Sequence, residues 1–273
     1  METNPKVSVL IPHYNGAEYI EETIKSVINQ TYSDFIELIV VDDCSPNKES
    51  LKFLKFLKTK YEFTLLEHEE NSGAARAFHT GAKHASGDLI AFLGQDDLFK
   101  LDKIEKQVNY LEKNSLCVAC YSGFELYEER LETYSPFITT ETINAIKEKT
   151  IFPSLYIKNN FCFTLQGLLV KKEIVSQFFL PIWNKLLLDD WPIHIKLFNE
   201  KNEQIGFLDE VLFTYRVHDS NLSKQKIRTF AMVSDVIANM CPQKYQEEAM
   251  KYHIKHLGLN QKEKKFKNFF KWK

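Results

Sequence analysis

An α/β fold with a doubly wound, mostly parallel sheet is predicted for this 273-residue chain. Two observations carry the prediction. Short apolar runs rich in β-branched residues alternate with segments of helical spacing through the first part of the chain, which is the pattern of a parallel sheet with helices on both faces. Two of those runs also end in acid pairs, Asp42-Asp43 in FIELIVVDDCSPN and Asp96-Asp97 in SGDLIAFLGQDDLF. Ligands of doubly wound sheets sit beyond the carboxyl ends of the strands, and clustered carboxylates suit a hard divalent cation. Two such pairs point to a nucleotide at the strand tips with a metal on its phosphates.

The elements follow in order. Val7–Ile11 reads as a buried strand, ended by Pro12–Asn15. Ala17–Gln30 has helical spacing through Tyr19, Ile20, Ile24, Val27 and Ile28. Ile36–Val41 is the second strand, and Lys48–Lys60 a helix on Leu51, Phe53, Leu54 and Leu57. Phe63–Leu66 is the third strand, Gly73–His84 a helix starting at a glycine, and Leu89–Leu93 the fourth strand. Beyond about residue 115 the pattern changes. Leu116–Tyr127 reads as a long strand, and Glu128–Phe152 as a hairpin with a short helix. Phe163–Val170 is strand-like, Trp191–Phe198 helical, Ile205–Val217 one or two strands, and Gln225–Met240 a helix. The expected division is 1–115 for ligand binding, 116–224 completing the same domain, and 225–273 as a helical extension.

Composition excludes several classes. A net charge of −2 offers no footprint for nucleic acid. No apolar run reaches the roughly 18 residues of a transmembrane helix. The chain opens METNPKVSVLIP, without a signal-peptide apolar region, and so reads as intracellular. Five scattered cysteines argue against a disulfide framework. Cys117 and Cys120 form a C-x-x-C inside an apolar run with no second pair, which favours buried thiols over zinc chemistry.

The ordered motifs VSVLIPHYNGAEYI, SVINQTYSDFIELIVVDDCS, NSGAARAFHTGAKHASGDLIAFLGQDD, LLLDDWPIHIKL and YRVHDSNLS resemble glycosyltransferase family 2, whose fold is GT-A. The match covers roughly residues 5 to 220, and it is the order and spacing that make it specific. The resemblance implies an inverting, metal-dependent transfer of sugar from a UDP-sugar to a hydroxyl of a glycan acceptor. Lipid-linked acceptors and surface polysaccharide are the expected setting, at the cytoplasmic face of the membrane. It implies that Pro12, Tyr14, Asp42, Asp43, Asn71, Gly73, Arg76 and Asp96 bind the nucleotide. Tyr14 would stack on the base, a contact of roughly 1–3 kcal/mol on aromatic faces. Asp43 would accept from the uracil imide, and Asp42 would order the loop or reach the ribose. Gly73 opens a helix whose free N–H groups suit anions. Arg76 is either a phosphate-binding charge or a surface arginine, since Phe78-His79 stand where many relatives have Arg-Asn.

Asp97 is the expected direct ligand of Mg²⁺ or Mn²⁺, with His218 able to reach the metal or the diphosphate, or else unengaged. Relatives often begin the metal motif with another aspartate, where this chain has Gly94-Gln95. Asp190 is the expected general base, though it could also cap the helix that follows. Asp189 and Trp191 fall on the acceptor or donor-sugar side, and Trp191 could equally be core. A nucleotidyltransferase is the alternative enzyme, but PHYNGAEY lacks the Gly- and Lys-rich phosphate loop it would need. A degenerate GT-A-like interaction protein is the non-enzymatic alternative. Finally, KEKKFKNFFKWK at 262–273 places three phenylalanines on one helical face and lysines opposite, a pattern suited to an anionic membrane surface.

Overall fold

The computed structural model describes residues 4–137, 156–157, 164–219, 221 and 226–257. One sheet runs through both expected halves. Its strands are β1 (Val7–His13), β2 (Ile36–Asp42), β3 (Thr64–Glu67), β4 (Leu89–Phe92), β5 (Leu98–Phe99), β6 (Ala119–Glu128), β7 (Thr133–Pro136), β8 (Leu168–Lys171) and β9 (Ile205–Val217). They lie in the order β3-β2-β1-β4-β8-β6-β9-β5, with β7 hairpinned onto β6. β3, β2, β1 and β4 are mutually parallel, as are β6 and β9. β8 enters antiparallel between β4 and β6, joining the two parallel sets.

Alternation along the strands sends residues to two cores, so both faces need helices. Val7, Val9 and Ile11 of β1 and Leu38 and Val40 of β2 face one core with Ile20, Ile24, Leu54, Leu57, Ile104 and Val108. Those come from α1 (Ile20–Ile28), α2 (Lys48–Lys60) and α4 (Lys103–Lys113). Leu10, Ile39 and Val41 face the other core with Phe78, Trp183, Trp191 and Val236. These lie on α3 (Ala74–His84), α5 (a helical segment over 172–183), α6 (Trp191–Lys201) and α7 (Lys226–Met240). α8 (Gln243–His256) closes that layer, with His253 5.0 Å from Trp191, centroid to centroid.

β1 continues to His13, through a proline, where the sequence suggests a break. Leu10 and Pro12 face the β4 side, but pairing with β4 ends at Leu10. The missing N–H of Pro12 therefore costs no ladder bond. α4 and α8 go beyond the elements expected above, as does α5, whose middle widens into a π-turn over Val175–Phe179. Pro181 follows directly, and its ring cannot fit a regular turn, which accounts for the widening. Cys120 and Cys241 are buried free thiols, and no disulfide joins Cys117 to Cys120.

α4 carries an unusual core residue. Lys103 is fully buried; it donates to Gln107 Oε1 and lies 4.3 Å from the Phe99 ring centroid. Burial pushes its ammonium down to about 7. The unfolded chain, with an ordinary lysine, then binds more protons than the folded one between the folded and unfolded pKa values. Stability should therefore rise with pH above 7, by on the order of 1 kcal/mol up to pH 8.5. Urea melts of the wild type and Lys103→Met across that range test this; parallel pH profiles for the two would refute it.

Candidate active site

The tips of β1 and β2 form the first wall. Tyr14 is exposed, at 42%, and its backbone is gripped by one side chain. Gln95 Oε1 accepts from Tyr14 N at 2.8 Å, and Gln95 Nε2 donates to Tyr14 O at 3.2 Å. Gln95 therefore fixes the backbone that carries the exposed Tyr14 ring. Gln95→Ala is expected to weaken UDP affinity about three- to tenfold through a looser Tyr14, losing two hydrogen bonds of roughly 1 kcal/mol each. Calorimetric titration with UDP measures it, and an unchanged Kd would rule the clamp unimportant.

Asp42 has the surroundings of a loop-ordering residue, one of its two expected roles. Its side chain is buried, and it accepts from His13 Nδ1 at 2.7 Å, Ser45 Oγ at 2.6 Å and Ser45 N at 3.0 Å. Burial alone would raise its carboxyl, but the bonds from His13 and Ser45 together hold it below the usual range. Through these bonds Asp42 ties the loop after β1 to the loop after β2. Asn15 and Cys44 take the left-handed conformation in those loops, at φ 53° and 56°.

Asp43 turns the other way. Its Oδ1 accepts from Ser72 N at 2.9 Å and lies 2.8 Å from His68 Nδ1; its Oδ2 accepts from Gly73 N at 2.6 Å. Asn71 Nδ2 donates to the Asp43 carbonyl at 3.3 Å. Asp43, Asn71 and Gly73 thus meet at the start of α3. Oδ2 keeps a second lone pair, which a further N–H could use. Gly73 has φ 88°, a conformation that strains any other residue. Arg76 leaves this group: its guanidinium donates to the side chain and, at 2.8 Å, to the carbonyl of Asn184.

The second acid pair is split between surface and interior. Asp96 keeps a side-chain exposure of 21% and lies 2.8 Å from His218 Nε2. Asn221 braces that histidine, accepting from His218 N at 2.6 Å. Asp97 is buried; its Oδ1 accepts from Arg216 N at 3.0 Å and its Oδ2 from Gln166 Nε2 at 2.8 Å. Burial, then the neighbouring Asp96 charge, pushes the Asp97 carboxyl well above the usual range. Gly94 lets the pair fold back, since a Cβ there would lie 2.6 Å from Asp97 Oδ2 and 2.9 Å from Asp96 Oδ1. Asp96 and His218 bring a carboxylate and an imidazole together at the edge of the site, with the buried Asp97 carboxyl behind them. Among the described residues no three His, Cys, Asp or Glu side chains cluster as a ready-made site. Gln166 carries no motif and was invisible to sequence reasoning; Arg216 and Asn221 stood in YRVHDSNLS.

Asp189 and Asp190 lie between α5 and α6. Asp190 caps α6, its Oδ1 accepting from Trp191 N, while the Asp189 carbonyl accepts from the Trp183 indole at 2.8 Å. Both carboxyls are half-buried, and desolvation raises both; repulsion from Asp190 adds to the rise at Asp189. Trp191 is corrected from a sugar-facing residue to a core one. It is 0% exposed, because α6 buries it between the sheet and α8.

This architecture and site define a glycosyltransferase of the GT-A fold. The crystal structure of S. aureus TarS 1–349 in complex with UDP-GlcNAc matches at a TM-score of 0.63 and 16% identity, covering 94% of this chain and 74% of that one. A longer TarS chain is covered over 44% of its length. Residues 8–175 match the family model "Glycosyl transferase family 2", and the chain belongs to that family. A Bacillus subtilis (strain 168) protein named as the teichuronic acid biosynthesis glycosyltransferase TuaG is 31% identical over 81% of this chain and 83% of its own. The Escherichia coli UDP-Glc:alpha-D-GlcNAc-diphosphoundecaprenol beta-1,3-glucosyltransferase WfgD is 27% identical over 85% of each chain.

Proposed function

We propose that this enzyme transfers a sugar, with inversion, from a UDP-sugar to a hydroxyl of a lipid-linked glycan in cell-surface polysaccharide synthesis. The observation that carries the reading is the convergence of Tyr14, Asp43 and the Asp96–His218 pair at the strand tips of one sheet. Tyr14 offers an aromatic face for uracil, and the remaining lone pair of Asp43 Oδ2 suits an imide N–H. The start of α3, next to the Asp43 cluster, would favour the diphosphate through the helix dipole. Asp96, Asp97 and His218 would hold Mg²⁺ or Mn²⁺, which when bound neutralises charge on the departing nucleoside diphosphate. Asp190, raised by burial, takes the acceptor hydroxyl's proton. A single base on the face opposite the leaving group yields inversion. The relatives' names support polysaccharide synthesis on lipid carriers, and WfgD's supports a UDP-sugar.

A panel of nucleotide sugars, scored for binding and slow hydrolysis with Mg²⁺ and Mn²⁺, tests the proposal. Preference for uridine donors with metal-dependent hydrolysis is expected. Absence of any nucleotide-sugar binding would overturn it in favour of an interaction protein.

Among the described residues no helix is long and apolar enough to cross a membrane. The basic aromatic tail at 262–273 lies outside the described residues. It is proposed to attach the enzyme to anionic lipid, at about 1 kcal/mol per lysine near the surface. Co-sedimentation with anionic vesicles should fall sharply, and lose its salt sensitivity, when the chain ends at Asn260. Equal sedimentation of both forms would refute it.

A further inference from the structure

We infer that Arg76 is a positioning residue: it fastens the segment bearing Asp189 and Asp190 to α3, and does not serve as a ligand for the donor diphosphate. The inference rests on the assignment of Asp190 as base, and it deepens that reading by naming what orients the acid pair.

The geometry is a continuous path of contacts. Both terminal nitrogens of the Arg76 guanidinium are spent on one residue, donating to the side-chain oxygen and the carbonyl oxygen of Asn184. A planar fork matches two acceptors in this way, and an ammonium cannot. Two residues further along α3, Phe78 stacks on Trp183, with centroids 5.7 Å apart and planes at 24°. Phe92 of β4 meets the same indole edge-on at 5.7 Å, so Trp183 is fixed from helix and sheet together. Trp183 is fully buried, and its indole N–H donates to the Asp189 carbonyl at 2.8 Å. Thus α3, which begins at the Asp43 cluster, holds residues 183–184, and those hold Asp189. The segment between α5 and α6 is otherwise held by Leu186 and Leu188, which pack against the core. Its first amides, Lys185 and Leu186, bond only back to Ile182.

General-base catalysis depends steeply on placement, and shifts of about 1 Å can cost 10²-fold. A loosened segment should therefore lower turnover while sparing the nucleotide. The test uses Arg76→Ala, Arg76→Lys, Asn184→Ala and the Arg76→Ala/Asn184→Ala double variant of the full chain. Kd for UDP, kcat and KM for transfer, and hydrogen exchange of the 184–186 amides are measured for each. Each alanine variant is expected to lower kcat about tenfold, with UDP Kd within about twofold of wild type. The double variant should be no worse than either single, because both remove one contact. Exchange at 184–186 should accelerate, and Arg76→Lys should recover only part of the loss. Three results would overturn the inference: a UDP affinity loss in Arg76→Ala absent from Asn184→Ala, multiplicative kcat losses in the double variant, or unchanged exchange. If the wild type binds no UDP at all, the functional reading fails, and the exchange result by itself still decides whether Arg76 fastens this segment.

Discussion

Replacing Asp190 with asparagine is expected to cut turnover by roughly 10²–10⁴-fold, the usual loss on removing a general base, with UDP-sugar affinity nearly intact. The substitution suits the test because Asp190, besides its proposed role as base, caps a helix. Its side chain caps α6 by accepting from Trp191 N, and asparagine caps a helix about as well as aspartate. The amide keeps the fold and removes only the basicity. Burial raises both carboxyls of the 189–190 pair, so the acidic limb of the wild-type pH–rate profile belongs to the pair as a unit. That limb should vanish from the residual activity of Asp190→Asn. A variant that loses donor affinity but keeps its turnover would make Asp190 a donor-side or purely structural residue.

Asp97→Ala should abolish transfer and weaken UDP binding in the presence of Mg²⁺ or Mn²⁺, with little effect in their absence. The structure adds a second consequence. Arg216 N and Gln166 Nε2 both donate to Asp97, and removing their buried acceptor costs about 1–3 kcal/mol of stability. Asp97→Asn is the necessary companion, since its amide oxygen can still accept one of those bonds while the charge is gone. Calorimetry of UDP with and without metal, on folded protein verified by thermal melts, separates the effects. If either variant keeps the wild-type metal dependence, the ion is held by Asp96 and His218 alone, and the assignment of Asp97 fails.

Much of the frame was legible because it rests on local periodicity. α2 has the expected bounds, and β2, β4 and α3 fall within a residue of theirs, since apolar spacing and turn residues decide them. The C-terminal region was harder to read. β8 is Leu168–Lys171, at the end of the strand-like run Phe163–Val170, and nothing local places it antiparallel between two strands distant in sequence. β5, two residues long, pairs with β9 and carries too little pattern to be seen.

At the site, the sequence by itself determined which side chains stand at strand ends, Tyr14 and the two acid pairs, and that Asp189–Asp190 precedes a helix. Strand direction places such residues at one edge of a parallel sheet, whatever surrounds them. Only the tertiary structure decided what each can touch. Asp42 and Asp43 are adjacent in sequence, yet one is sealed against His13 and Ser45 while the other reaches the amides that open α3. Asp42 and Asp43 are both buried, whereas Asp96 is partly exposed and Asp97 buried. Successive side chains leave a strand end in opposite directions, and apart from Ser45, three residues from Asp42, the side-chain partners named here reach as far as 122 positions away. No local pattern encodes such partners; they are fixed when the sheet closes and its loops meet.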